Sequence, residues 1–138
     1  MSIGFTAGTW DLCHAGHVIH FGECKKYCDY LIVGLQVDPS LDRPQKNKPV
    51  QSLEERYIIL RAIKWIDAII VYKREVELIE LEKWLPVDFR FRGIEHKNEP
   101  HYFTKGQFID IVGDNRYHTS ELRKRICNMH LSQDQKDL

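Results

Sequence analysis

The run Tyr30-Leu31-Ile32-Val33-Gly34-Leu35 sets the tightest limit on how this chain can fold. It begins at Asp29 and is nearly continuous in apolar residues. A strand with one wet face alternates apolar with polar residues, whereas a run without alternation must be covered on both faces. Covering both faces takes helices on either side of a parallel sheet. The neighbouring segments read as the parts of such a layered domain. Ile3 to Gly8 is a short strand that stops at Gly-Thr, and Ala15 to Tyr27 changes to helical period. Ser52 with Glu55 is a capping box that starts a helix near Leu53 and carries it to about Lys64. Ile66–Tyr72, Asp88–Arg92 and Gln107–Val112 read as further strands. Glu75–Trp84 reads as a helix with Val76, Ile79 and Trp84 inward. Thr119 or Ser120 caps a last helix through about Met129. The expected fold is therefore α/β, a Rossmann-like single domain with a five-stranded parallel sheet flanked by helices over residues 1–131, followed by a polar tail over 132–138.

Between the second strand and the Ser52 cap lie fourteen residues, 38–51, with prolines at 39, 44 and 49. This spacing forbids a regular helix or strand, and a loop of that length in a small domain is usually functional. The 20 Lys and Arg balance the 20 Asp and Glu. Zero net charge excludes a chain that coats nucleic acid or an anionic membrane by bulk charge, but leaves room for a local cationic cluster. No apolar run is long enough to span a bilayer, and the N-terminus lacks a signal-peptide pattern, so a cytoplasmic protein without membrane insertion is expected. Cys13, Cys24, Cys28 and Cys127 read as reduced thiols, Cys24 and Cys28 as packing residues.

In an open parallel sheet, ligands bind beyond the carboxyl ends of the strands. The segments there are polar and rich in Gly, His or basic residues: Gly8 to His17, the proline loop with Arg43, Lys46 and Lys48, Arg92 to Lys97, and Asn115 to Ser120. The first carries the most information. His14 and His17 are three apart at a helix start and project from one side of its first turn. The free N–H groups of that turn favour an anion, and Gly16 leaves it space. Two imidazoles, open amides and a missing side chain make a phosphate cradle. A zinc site of His14, His17 and His20 is the rival reading, and a dehydrogenase is disfavoured because no G-x-G-x-x-G follows the first strand.

Gly8-Thr9-Trp10-Asp11-Leu12-Cys13-His14-Ala15-Gly16-His17 resembles the GTFDxxHxGH signature of the cytidylyltransferase-like nucleotidyltransferases, with Trp10 in place of the usual Phe. Lys25, Asp29-Tyr30-Leu31 and the Glu55-Arg56 pair look most like the small glycerol-3-phosphate cytidylyltransferases, and the likeness extends over about residues 3–127. It implies transfer of CMP from CTP to a small phosphorylated acceptor, glycerol 3-phosphate or a similar alcohol or sugar phosphate, with release of pyrophosphate. ATP as donor, or a nucleotide-binding module without turnover, are the alternatives. The resemblance assigns His14, His17, Lys46 and Lys48 to catalysis. Gly8, Thr9, Trp10, Asp11, Gly16, Gly93, Glu95, Thr119 and Ser120 would bind the nucleotide. Arg116 would stand in for a family arginine three residues out of register. Lys25 and Arg56 would bind the acceptor, Asp11 would lie at the Mg²⁺ that accompanies the triphosphate, and a homodimer is expected. Arg90 and Arg92 read as a strand end, and Arg123 with Lys124 and Arg125 as helix charge, Arg123 being able to reach a phosphate.

Overall fold

The run at Tyr30–Gln36 is a strand buried along nearly its whole length, with neighbours on either side. The computed structural model describes residues 1–114 and 116–136. Five strands are β1 (Ile3–Gly8), β2 (Tyr30–Gln36), β3 (Ala68–Tyr72), β4 (Phe89–Gly93) and β5 (Gln107–Ile111). The helices are α1 (Ala15–Lys25), α2 (Leu53–Arg61), α3 (Glu75–Trp84) and α4 (Thr119–Lys136). The sheet order is β3-β2-β1-β4-β5, and every pairing is parallel. The chain runs outward from β1 to β3 and then returns to the far side of β1. This reversal opens a crevice at the carboxyl ends of β1 and β4.

Alternation along the strands divides the core in two. Leu31, Val33, Leu35 and Phe91 meet Phe21 and Cys24 of α1 and Leu60 of α2 on one face. Phe5, Ile32 and Tyr72 meet Leu78 of α3 on the other. Cys24 and Cys28 are buried in the first of these cores as free thiols, in keeping with a packing role.

Several boundaries differ from the sequence reading. The Ser52–Glu55 capping box forms, but α2 stops at Arg61 and gives way to turns. The proline loop contains one turn of 3-10 helix at Pro39–Leu41, which a single proline at its first position permits. On α3 the inward residues are Leu78 and Glu82, while Val76 and Trp84 are exposed. Glu82 reaches inward because a buried arginine meets it there. Helix α4 continues to Lys136, so residues 132–136 are helical rather than a separate tail. Asp137 and Leu138, and Asn115 of the segment before α4, lie outside the described residues.

The carboxyl ends of β1 and β2 are tied together by Arg56 of α2, only 2% exposed. Its Nη1 donates to the carbonyls of Gln36 (2.6 Å) and Thr9 (3.0 Å), and Nη2 to that of Val37 (2.7 Å). Its Nε reaches the carbonyls of Gln51 (3.2 Å) and Ser52 (3.3 Å). Buried carbonyls without a donor are costly, and a guanidinium supplies several donors in one rigid fork. Arg56→Met is expected to lower the unfolding free energy by about 3 kcal/mol or more, since several carbonyls lose their donor at once. Urea denaturation of the full chain measures this, and a loss below about 1 kcal/mol would contradict the role given to Arg56.

Candidate active site

Beyond the end of β1 the backbone makes an unusual turn. Trp10 (φ 53°) and Leu12 (φ 50°) both take the left-handed conformation, which non-glycine residues seldom adopt. The turn drives the Trp10 indole into the core, where it packs on Phe21 with centroids 4.6 Å apart. Its Nε1–H donates to the Gly34 carbonyl at 2.9 Å, a bond that Phe could not make. The indole also presents itself to the edge-on ring of His17, 5.4 Å between centroids.

Helix α1 then opens with a capping box built from histidines. His14 is the N-cap, and its Nδ1 accepts from the Gly16 amide at 3.0 Å. His17, at the third helical position, accepts the His14 amide on Nδ1 at 3.4 Å. This is the reciprocal geometry usually made by Ser and Glu. With Nδ1 accepting in both rings, the neutral tautomer of each carries its proton on Nε2. The rings stack with centroids 4.0 Å apart, so the two Nε2–H donors are held side by side. That of His14 meets the Thr119 hydroxyl at 3.1 Å. Thr119 is the first residue of α4, not its cap, so its hydroxyl is free for this contact.

Burial pulls the His17 imidazole down to about 3, with His14 and His20 adding to the shift and Asp11 opposing it. His14 is lowered by burial and then by His118. His20 is pulled down to about 4 by burial, with Glu95 opposing. Its Nε2 is engaged with the Thr6 hydroxyl at 2.9 Å. His20 is thus a core partner of β1. Among the described residues, no group of three His, Cys, Asp or Glu is disposed to hold a metal ion, which argues against a zinc site.

The Asp11 carboxylate, expected at the Mg²⁺, is held by donors of the protein itself. Burial opposes its ionisation, but amides and a guanidinium outweigh that and hold the carboxyl below its ordinary value. Oδ1 accepts from the Gln51 amide (3.0 Å), and Oδ2 from the Val50 amide (2.8 Å) and Arg123 Nη2 (2.8 Å). With both oxygens committed, the carboxylate fastens the end of the proline loop and the start of α4 to the turn after β1. The residues present therefore do not form a resident Mg²⁺ site.

A cleft of about 970 Å³ lies over this region, at the upper end of the usual range for ligand sites. Of the residues expected at the site, Gly8, Thr9, Trp10, Asp11, His14, Gly16, His17, Lys46, Gly93, Glu95, Thr119 and Ser120 line it. A Cβ on Gly16 would lie 2.8 Å from the Tyr117 carbonyl oxygen, so only glycine lets the segment before α4 cross the start of α1. A Cβ on Gly93 would collide with the Glu95 carboxylate at 2.5 Å.

Four expected residues are not brought to the cleft. Lys25 is at the opposite end of the sheet, paired with Asp67 and donating to the Asp29 carbonyl at 2.6 Å. That position, at the last turn of α1, precludes an acceptor contact. Arg56 is spent on backbone carbonyls and binds no acceptor phosphate. Lys48 is exposed on the proline loop outside the cleft lining. Arg116 points outward, three-quarters exposed, in an ion pair with Asp114 at 2.6 Å. Arg123 lines the cleft instead, with its Nη2 on Asp11 and its Nε buried with no partner among the described residues. The sequence reading, which has Arg123 as helix charge able to reach a phosphate, puts it within reach of the cleft, one helical turn after Thr119.

The chain matches a family model described as cytidylyltransferase-like over residues 5–124. It is 31% identical over 100 residues to the bifunctional protein HldE of Granulibacter bethesdensis, covering 72% of this chain and 20% of that protein. With the bifunctional protein HldE of Mesorhizobium japonicum it shares 34% identity over 97 residues, 70% of this chain and 19% of the relative. The chain thus spans about a fifth of the length of these relatives. The lipopolysaccharide core biosynthesis protein of Thermoplasma volcanium GSS1 has the same fold, with a TM-score of 0.61 at 21% identity over 94% of this chain and 89% of that one. No helix among the described residues is long and apolar enough to cross a membrane.

A histidine whose folded pKa lies below its unfolded value stabilises the fold fully above the unfolded value and loses that contribution as the pH falls. For His17, His20 and His14 the loss begins near 6.5 and, for His17, continues to about 3. Urea midpoints are expected to be lower at pH 5 than at pH 7.5, and a His17→Gln variant should show a shallower decline. An equal decline in the variant would contradict the burial of a neutral His17.

Proposed function

Because the chain belongs to the cytidylyltransferase-like family of nucleotidyltransferases, we propose that it transfers CMP from CTP to a small phosphorylated alcohol or sugar and releases pyrophosphate. The observation that carries this reading is the histidine capping box, which fixes two neutral Nε2–H donors at a helix N-terminus inside a large cleft. ATP is the competing donor and belongs in the same assay. The likeness to glycerol-3-phosphate cytidylyltransferases supports glycerol 3-phosphate as the first acceptor to try.

The chemistry follows from what the cleft contains. An acceptor phosphate is already ionised near neutral pH, so its oxygen can attack the α-phosphorus without a general base. The new P–O bond forms as the bond from the α-phosphorus to the bridging oxygen breaks, and pyrophosphate leaves with that electron pair. No proton has to be removed. Catalysis then consists of positioning and charge stabilisation. His14 and His17 donate to the charge growing on the α-phosphate and the bridging oxygen. Thr119 accepts from His14 and so has its own O–H available for a phosphate oxygen. The start of α1 supplies further positive potential, and Arg123, paired with Asp11, keeps its buried Nε as a donor. Mg²⁺ would accompany the triphosphate as its counter-ion and would offset charge on the leaving pyrophosphate. Lys46 sits on the loop where a flexible cation can follow the acceptor or the leaving group.

The decisive experiment is a matrix of four nucleoside triphosphates against phosphorylated acceptors, read by pyrophosphate release. Turnover is expected with CTP. His14→Ala and His17→Ala should each lower it by about 10²–10³-fold with the fold retained by circular dichroism. Arg123→Met should lower it by about tenfold or more, while Arg116→Met leaves it within about twofold. Unchanged turnover in both histidine variants would overturn the reading.

A further inference from the structure

The cleft does not end at the histidines. It extends inward over the sheet face covered by α3, where Ala7, Gln36, Tyr72, Leu78, Glu82 and Arg90 line it. Strand alternation puts Ala7, Gln36, Tyr72 and Arg90 on this face, with Gln36 and Tyr72 opposite one another in register. Phe5, Ile32 and Val87 make the surrounding core apolar. Four polar side chains in that setting are unexpected, because buried polar groups cost stability unless they are paired.

One of them holds a buried atom without a partner. Gln36 is 4% exposed, and its Nε2 has no hydrogen-bond partner among the described residues. Tyr72 is 3% exposed and lines the same recess. Burial holds that phenol protonated. The other two are paired but not exhausted. Arg90 Nε donates to Glu82 Oε1 at 2.6 Å, and its Nη1 bonds the Phe91 carbonyl. The second oxygen of Glu82 takes no part in that hydrogen bond. A buried ion pair gives little net stability, so stability is a weak reason for it to be here.

The chemistry of the recess is specific. An amide N–H₂ and a phenol O–H donate, and a carboxylate oxygen accepts. The charges of Arg90 and Glu82 cancel, so the recess offers no net attraction to a second phosphate or to an ammonium group. Alcohol hydroxyls, each both donor and acceptor, match this set. Lys46 and the Arg43–Glu75 pair stand on the proline loop and the start of α3, where the same cleft reaches the polar rim.

We infer that Gln36 and Tyr72, side by side at the ends of β2 and β3, determine specificity for the hydroxyls of the acceptor's carbon skeleton. The inference rests on the nucleotidyl-transfer reading and adds to it the residues that select among its acceptors.

The test compares propyl phosphate, glycerol 3-phosphate, ribose 5-phosphate and phosphocholine as acceptors for the full chain. The hydroxylated acceptors are expected to have the higher kcat/KM. Gln36→Leu and Tyr72→Phe should each raise the acceptor KM by about tenfold, leave the KM of the triphosphate within about twofold, and reduce the preference over propyl phosphate. A general loss of folding would move both KM values together, so the split separates recognition from stability. Equal use of propyl phosphate by the unaltered chain, or an unchanged acceptor KM in both variants, would overturn the inference. If the unaltered chain turns over no acceptor, the nucleotidyl-transfer reading fails. Calorimetric titration with ribose 5-phosphate then decides the recess separately: binding weakened about tenfold in Gln36→Leu upholds it, and absence of binding to the unaltered chain overturns it.

Discussion

The guanidinium of Arg56 is buried where β1 and β2 end and α2 begins, and it takes up carbonyls from all three segments. Backbone leaving the end of a parallel sheet loses its ladder partners and must find others. Here one side chain provides them. Asp11 does the complementary work for the amides of Val50 and Gln51 and anchors Arg123 of α4 as well. Together, these two opposite charges fix the turn after β1, both ends of the proline loop and the first turn of α4. The cleft has its shape because these segments are held from below.

The same turn determines the state of the histidines. Trp10 enters the core through a left-handed backbone and gives His17 an apolar wall. His14 and His17 replace the usual Ser and Glu of a capping box, so helix capping and tautomer selection are the same set of hydrogen bonds. Burial keeps the rings neutral. A neutral imidazole is the weaker electrostatic partner for a phosphate, but its donor is fixed in direction and does not depend on pH near 7. Lys46 and the start of α1 bring positive potential to the cleft, while Arg123 is paired there with Asp11. A chain of zero net charge can therefore present a local anion site.

The two faces of the sheet divide the labour of the cleft. The edge near α1 and α4 carries the stacked pair of His14 and His17 together with Thr119. The face under α3 carries a recess with the unpaired amide of Gln36 and the phenol of Tyr72. These polar groups depart from the rule that side chains inside a sheet layer are apolar or satisfied, and such departures tend to occur at functional sites.

The sequence alone determined the layered parallel fold, because the uninterrupted apolar run at 30–35 permits no exposed face, and it brought His14, Gly16 and His17 together, because they lie within a single helical turn. Both are local: their information lies within a few residues. Only the tertiary structure decided which distant charges reach the cleft. Lys25, Arg56, Arg116 and Arg123 are alike as cations in a sequence. Their roles depend on what each meets after folding: Asp67 at the opposite end of the sheet, a set of orphaned carbonyls, Asp114 at the surface, and the cleft itself. Arg90 reads from the sequence as one face of a strand end, and only the packing of α3 brings Glu82 against it. A long cationic side chain takes its function from its partner, and partners separated by tens of residues are fixed only when the strands and helices have packed.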